Sequence, residues 1–226
     1  MTTNLESKSL ALLQAIRPWF PQEDAYLVDL ARYDMNARLL VGIALAGSEE
    51  QGEAETLFDS VIQFEATGEG EDWTHVKRRA CLEMAQLKMD QLKYDEAEDV
   101  LWKARNELIP AVKDDISKED ISLLIAQCRF GQGFIQEAID RAEEVLRKQN
   151  SDQADDVKLA RTYQQLGWFH LHKMDVPLAL QHMKQAMRLA PALDRELVDE
   201  AIAAEQTGDF EKAIGHYFDS IQFDLE

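Results

Sequence analysis

The sequence predicts an all-α fold, an α-solenoid of antiparallel helix pairs with one extra N-terminal helix. Three observations predict it. Five alanines, Ala54, Ala97, Ala138, Ala179 and Ala213, each follow a turn-like segment and open an apolar stretch, at intervals of 43, 41, 41 and 34 residues. A fixed period in this range marks a repeat array. Proline and glycine are scarce, five and ten in 226 residues. Apolar residues recur at helical spacing, and β-branched runs are few.

Each element follows from its residues. Leu5, Leu10, Leu12, Leu13 and Ile16 set a helix over 5–16, within an N-terminal segment 1–20. Pro18 and Pro21 bracket Trp19 and Phe20 and stop it. Pro21 suits the first turn of the next helix, expected as one long element over 22–46. Its partner is expected over 53–66, with Gly68 and Gly70 marking the following loop. The remaining pairs read as 72–90 with 94–109, 118–131 with 134–149, 153–173 with 176–189, and 193–206 with 210–224. Pro110, Asn150 with Ser151, and Pro191 close the second, third and fourth. The repeats thus run 22–66, 72–109, 118–149, 153–191 and 193–226. No linker is long or rich in Gly, Ser or Pro, so a single domain over 1–226 is expected.

Net charge is −19, from 43 acidic and 24 basic side chains. Nucleic acid and anionic lipid both need a positive surface, so neither is expected as a partner. The acids gather in Glu49–Asp72, Asp95–Asp99, Asp114–Asp120 and Asp152–Asp156, at turns and helix starts, where they offset the helix dipole. Solubility accounts for them, although a basic partner or a salty habitat would be served too. Cys81 and Cys128 lack metal-site spacing and read as buried small hydrophobes in a reducing compartment. The N-terminus has no apolar signal core, and no run approaches ~18 apolar residues. A cytoplasmic protein is expected.

These residues resemble the tetratricopeptide repeat (TPR) family. The fourth copy carries the pattern most fully, in Tyr163, Leu166-Gly167, Ala179, Met183, Ala186 and Pro191. The others carry Val41-Gly42, Ala54 and Phe58; Met84-Ala85, Ala97 and Leu101; Ile125-Ala126, Ala138 and Val145; and Leu197, Ala201, Gly208, Ala213 and Tyr217. The resemblance spans residues 35–226, about 85% of the chain. Small residues at Gly42, Ala85, Ala126, Gly167 and Ala201 suit close approach of two helices. The resemblance implies a right-handed superhelix that binds proteins and performs no chemistry. The sequence departs from the family in two ways. Three intervals are seven to nine residues longer than the usual one, as in kinesin-light-chain-type and bacterial regulatory variants. The final helix also lacks the usual polar cap: Ala213, Ile214, Tyr217, Phe218, Ile221 and Phe223 make it apolar on more than one side. Either the chain folds back on itself there or that end meets another molecule.

In the family the first helix of each pair lines a concave face. By position this implies a groove built from Arg79, Gln86, Gln127, Phe130, Arg161, Gln164, Gln165, Trp168, Leu171, His172 and Arg195. Leu82, Glu83, Met89 and Asp90 extend it on the second copy, Leu123 and Leu124 on the third, and Val198, Asp199, Ile202 and Gln206 on the fifth. Trp168 stands beside Gly167 where the repeat is usually variable. Aromatic and arginine side chains in such a face are typical anchors. The bland alternative is that Trp168 packs on the neighbouring repeat. The chaperone-binding members grip a C-terminal carboxylate with cations. Here those positions carry Leu39, Ile43, Glu83, Asp120 and Leu124, so that mode is not expected.

No site for chemistry emerges. His170 and His172 are two apart and point to different sides of a helix, and His182 and His216 have no evident partner. Gly131-Gln132-Gly133 follows a helix rather than a strand, and Gly68-Glu69-Gly70-Glu71-Asp72 would repel phosphate. No catalytic, cofactor or metal residue is expected. The favoured function is a protein-protein interaction module that holds a peptide or helix. The alternatives are a homo-oligomeric scaffold assembling through its terminal helices, including Tyr217, Phe218, Ile221 and Phe223, or a bacterial chaperone or regulator of this architecture.

Overall fold

The computed structural model describes residues 2–65, 73–108 and 116–223. The expected loop glycines Gly68 and Gly70, the acidic run through Asp72, and Pro110 lie outside the described residues. The chain forms two compact units, Met1–Ser117 and Lys118–Glu226. The sequence offers no linker at this boundary.

In the first unit, α1 (Thr2–Ile16) ends in a 3-10 turn at Arg17–Trp19 and is followed by α2 (Ala25–Leu30), α3 (Met35–Ala46), α4 (Gln51–Ile62), α5 (Thr74–Asp90) and α6 (Tyr94–Asn106). The single helix expected over 22–46 is two helices. Asp34 is extended, at φ −115° and ψ 122°, and its carboxylate accepts a hydrogen bond from the Ala37 amide at 2.8 Å. That N-cap starts α3 afresh. Arg38, one turn on, is fully buried. Its guanidinium donates to the Ala31 and Arg32 carbonyls at the end of α2, to both Glu6 oxygens on α1 at 2.7 and 3.0 Å, and to Ser60 Oγ on α4 at 3.3 Å. One cation on α3 thereby satisfies acceptors on three other segments of the chain.

In the second unit the order is α7 (Lys118–Gly131), α8 (Ile135–Ser151), α9 (Asp156–His172), α10 (Val176–Leu189), β1 (Ala192–Leu193), α11 (Arg195–Gln206), α12 (Phe210–Ser220) and β2 (Ile221–Gln222). Asp155, Asp175, Asp194 and Asp209 each cap the helix that follows, accepting from backbone amides at 2.8–3.3 Å. Part of the acidity is thus spent on helix starts. The helix expected over 210–224 ends at Ser220. Ile221 turns extended, at φ −82° and ψ 117°, and β2 pairs antiparallel with β1, Ala192 opposite Gln222 and Leu193 opposite Ile221.

The five alanines Ala54, Ala97, Ala138, Ala179 and Ala213 are all fully buried. The small residues opposite them are required by space. A Cβ on Gly42 would stand 2.7 Å from the Phe58 ring, and one on Gly167 would stand 2.9 Å from Met183 Cγ and 3.1 Å from the Ala179 carbonyl oxygen. The turns repeat as well. Leu92, Gly133, Met174 and Gly208 each lie five residues before an alanine of the series and all have positive φ, between 60° and 88°. This assigns Gly131-Gln132-Gly133 to a turn.

The fifth pair is stacked the other way round. In the fourth pair the first helix, α9, packs on α8 and α7. In the fifth it is the second helix, α12, that packs on α10 and α9, while α11 packs mainly on α12. A core of Ala179, Met183, Ala201, Ala204, Ala213, Ile214 and Tyr217 fills the junction. α11 is the solvated outer helix, with only Ala201 and Ala204 buried. The apolar character of α12 is explained by its inner place.

Candidate functional site

The aromatic and polar side chains expected to form a groove on the second unit converge on one surface of α7, α9 and α12. Phe130, near the end of α7, stacks on the buried Phe169 ring, centroids 4.9 Å apart, and meets His172 edge-on at 4.9 Å. His172 lies 4.6 Å from Trp168, and its Nδ1 is 3.0 Å from the Trp168 carbonyl oxygen. Trp168 lies 5.1 Å from Phe218 of α12. Phe130, His172, Trp168 and Phe218 therefore make an unbroken run of four rings across three helices. His172 is exposed and the other three are half-buried. Gln127 and Gln165 are half-buried on α7 and α9, and Leu171 packs against the α10–α12 core. Such a run combines rigid apolar area with polar edges, the composition of a binding anchor.

Other expected groove residues are engaged within the chain. Gln164 is buried, and its Nε2 donates to the Phe218 carbonyl oxygen at 2.9 Å, so its amide is not a free ligand for a partner. The exposed Arg161 lies over the Phe223 ring, 4.9 Å from guanidinium carbon to centroid. Trp168 packs on the last repeat, as its bland reading supposed, yet keeps part of its surface in solvent. Arg195 is exposed beside an open depression lined by Pro191, Leu193, Val198 and Asp199. Its place on the outer helix differs from the inner place implied by position, as do those of Ile202 and Gln206.

On the first unit, Arg79 and Gln86 are both exposed on α5. Arg79 pairs with Glu83 at 2.7 Å, and Gln86 donates to Asp90 at 2.8 Å. Glu83 and Asp120, at positions where a carboxylate grip would need cations, are acceptors already bound to Arg79 and to Lys158 at 3.1 Å.

Of the residues proposed for self-association, Tyr217 and Ile221 are buried within the chain, and Phe218 and Phe223 are half-buried against it. Tyr217 is buried and its hydroxyl donates to Glu205 at 2.8 Å; burial first, then that carboxylate, push the phenol up to about 12. Ile221 is buried, Phe218 lies against Trp168, and Phe223 lies beneath Arg161.

A second aromatic cluster went unread in the sequence. His170 stacks on His182 at 5.2 Å between α9 and α10, and Tyr163 also stacks on His182, at 5.8 Å. Both ring nitrogens of His170 are buried without a hydrogen-bond partner among the described residues. Burial lowers the pKa of His170 and pushes His182 down to about 4, with His170 itself adding to the effect. Among the described residues, no group of three or more His, Cys, Asp or Glu is placed to hold a metal ion. Burial likewise raises the Cys81 thiol to about 12, a structural rather than reactive state. No helix among the described residues is long and apolar enough to cross a membrane.

No protein-family model matches the sequence, and no curated protein is similar to it in sequence. Solved structures share its fold at low identity. BtubC (BKLC) from P. vanneervenii superposes with a TM-score of 0.60 at 15% identity, over 96% of this chain and 88% of that one. The nearly identical TPR-like repeats of a Podosopora anserina kinesin light chain give 0.57 at 16% identity, over 80% and 90%. PilF of Pseudomonas aeruginosa gives 0.56 at 11% identity, over 95% and 90%. The class is therefore an all-α solenoid of TPR-like helix pairs.

Proposed function

We propose that the protein is a non-enzymatic adaptor that binds a peptide or helix of a partner protein on the α7–α9 face of its second unit. The observation that carries this is the half-exposed run of Phe130, His172 and Trp168, three rings in contact on two neighbouring helices. These rings supply apolar area already fixed in place, so little side-chain entropy is lost on binding. Gln127 and Gln165 flank the run and are suited to bonding a ligand backbone without selecting its sequence. A protein ligand also fits the charge, since −19 disfavours nucleic acid and anionic lipid.

The test is capture of partners from native lysate on the tagged protein and on a Phe130→Ala/Trp168→Ala variant, followed by titration of the purified partner. A partner retained by wild type and weakened at least tenfold, about 1.4 kcal/mol, by the variant is the expected result. Equal retention by a variant that keeps its helicity would sink the reading.

A second reading, assembly of copies, is favoured by one observation at the other end of the chain. Tyr26 and Leu30 on α2 and Tyr33 in the turn after it are all exposed in the first unit, with Trp19 exposed nearby in sequence. Light scattering of wild type against Tyr26→Ser/Tyr33→Ser tests it, a dimer that the variant loses being required.

A further inference from the structure

The segment that follows the core of α12 meets α9 as a bound peptide would. Gln164, buried in the helix that carries the aromatic run, gives its amide to a main-chain carbonyl, that of Phe218, at 2.9 Å. The Phe218 ring extends the run beyond Trp168 at 5.1 Å. Five residues on, Phe223 lies under the exposed Arg161 guanidinium at 4.9 Å. One backbone contact flanked by two side-chain anchors is a recognition pattern, with the main-chain bond fixing register and the rings giving specificity.

Release of this segment frays the last turn of α12, Phe218–Ser220, and leaves its preceding turns in place. Ala213, Ile214 and Tyr217 hold α12 in the α10 core from the preceding turns. Beyond Ser220 the chain is extended and held by a ladder of two residue pairs, with Ile221 as its buried anchor. Phe223 lies outside any helix.

We propose that Phe218–Phe223 is an internal ligand for α9, and that a protein partner presenting two aromatic side chains separated by four residues engages Arg161, Gln164 and Trp168 by displacing it. The proposal rests on the adaptor reading above and assigns that face a ligand chemistry and a built-in competitor. Occupation by the internal segment lowers the apparent affinity for any competing ligand by the fraction of time the face stands open.

The probe is a fluorescein-labelled synthetic peptide of residues 217–226, titrated by anisotropy against the full chain. Wild type, Phe223→Ala and Phe218→Ala/Phe223→Ala are compared, each also combined with Trp168→Ala. The expected result is weak binding to wild type, binding at least about tenfold tighter to the released variants, and loss of that gain on adding Trp168→Ala. Circular dichroism confirms the folded state. If the double variant loses helicity, Phe223→Ala alone decides, because its side chain belongs to no helix. A folded variant that binds the peptide no better than wild type overturns the proposal. A partner lost on Phe130→Ala/Trp168→Ala while no variant gains peptide binding would leave the adaptor reading standing and remove only the internal ligand. A peptide gain with no partner dependent on Phe130 would do the reverse.

Discussion

Arg38 and Glu6 are joined by two hydrogen bonds, Nη1 to Oε2 at 2.7 Å and Nη2 to Oε1 at 3.0 Å, with the arginine fully buried and the Glu6 side chain 41% exposed. A buried cation has to find its counter-charge, and here the counter-charge is on α1. The extra N-terminal helix is thereby pinned to the first repeat pair. Arg38→Ala should remove the hub and destabilise by about 1–3 kcal/mol in denaturant unfolding, because it takes the donor from the Ala31 and Arg32 carbonyls while the Glu6 carboxylate left behind is reached by water. Glu6→Ala should also destabilise, and it should expose α1 to protease before the rest of the chain is cut.

Gly167→Ala should destabilise by about 1–3 kcal/mol, because the added methyl meets Met183 Cγ at 2.9 Å and the Ala179 carbonyl at 3.1 Å. Met183 is flexible and yields, whereas the carbonyl is backbone and does not. Met183→Ala alone removes a fully buried side chain and should cost about 2–5 kcal/mol, so relief of the clash is read as coupling: the double variant should be less destabilised than the sum of the two single variants. Thermal unfolding followed at 222 nm reads both.

Met174 and Leu92 occupy left-handed turn positions, at φ 66° and 60°, where Gly133 and Gly208 stand in the equivalent turns. Both side chains are largely exposed, at 84% and 73%, so little packing is lost with them. Met174→Gly and Leu92→Gly should each stabilise by about 1 kcal/mol, since relief of the left-handed strain exceeds the added entropy of the unfolded chain. A lower denaturation midpoint in either variant would contradict this.

The His170–His182 stack makes a pH prediction. His182 has a pKa of about 4 when folded, against about 6.5 unfolded. The unfolded state binds more protons between those values, so stability is complete above pH 6.5 and falls as pH drops through 4. Asp175 opposes the shift on both rings, Glu143 opposes it on His170, and Lys173 reinforces it there. With discount for the partial exposure of His182, the stack should contribute about 2 kcal/mol of acid sensitivity. Comparing urea midpoints from pH 7 to pH 4 for wild type and His182→Phe isolates it. The variant's profile should be flatter, and parallel profiles would refute the assignment.

The repeat was legible because its determinants are local and recur. Each alanine marks a helix crossing, and four of the five preceding turns have one left-handed residue, so a period survives even where Leu92 or Met174 replaces glycine. The break at Asp34 was masked by the apolar residues on both sides of it. The cap sits in Asp34-Met35-Asn36-Ala37, but Leu27 to Leu45 reads as one stripe. The reversed fifth pair was hidden for another reason. Ala201 and Ala213 satisfy the small-residue rule equally well from either helix, so the rule cannot say which one faces inward. Side-chain size could have: α11 offers only Ala201 and Ala204 to the core, while α12 offers Ile214 and Tyr217 with Phe218 beside them. On the site, the rings of Phe130, Trp168 and His172 were found by position. Their connection to Phe218 depends on that reversal and could not be read.

The two-residue ladder has a mechanical consequence. Ala192 and Gln222, the outer residues of β1 and β2, face each other at the open mouth of the clasp. Tension on the chain leaving Gln222 acts on that pair first and then on Leu193 with Ile221. The clasp opens like a zip, one rung at a time, instead of resisting with both rungs in shear. α12, with Ala213, Ile214 and Tyr217 buried, bears load only after both rungs have parted, which makes the extended segment the weak link of the second unit under force.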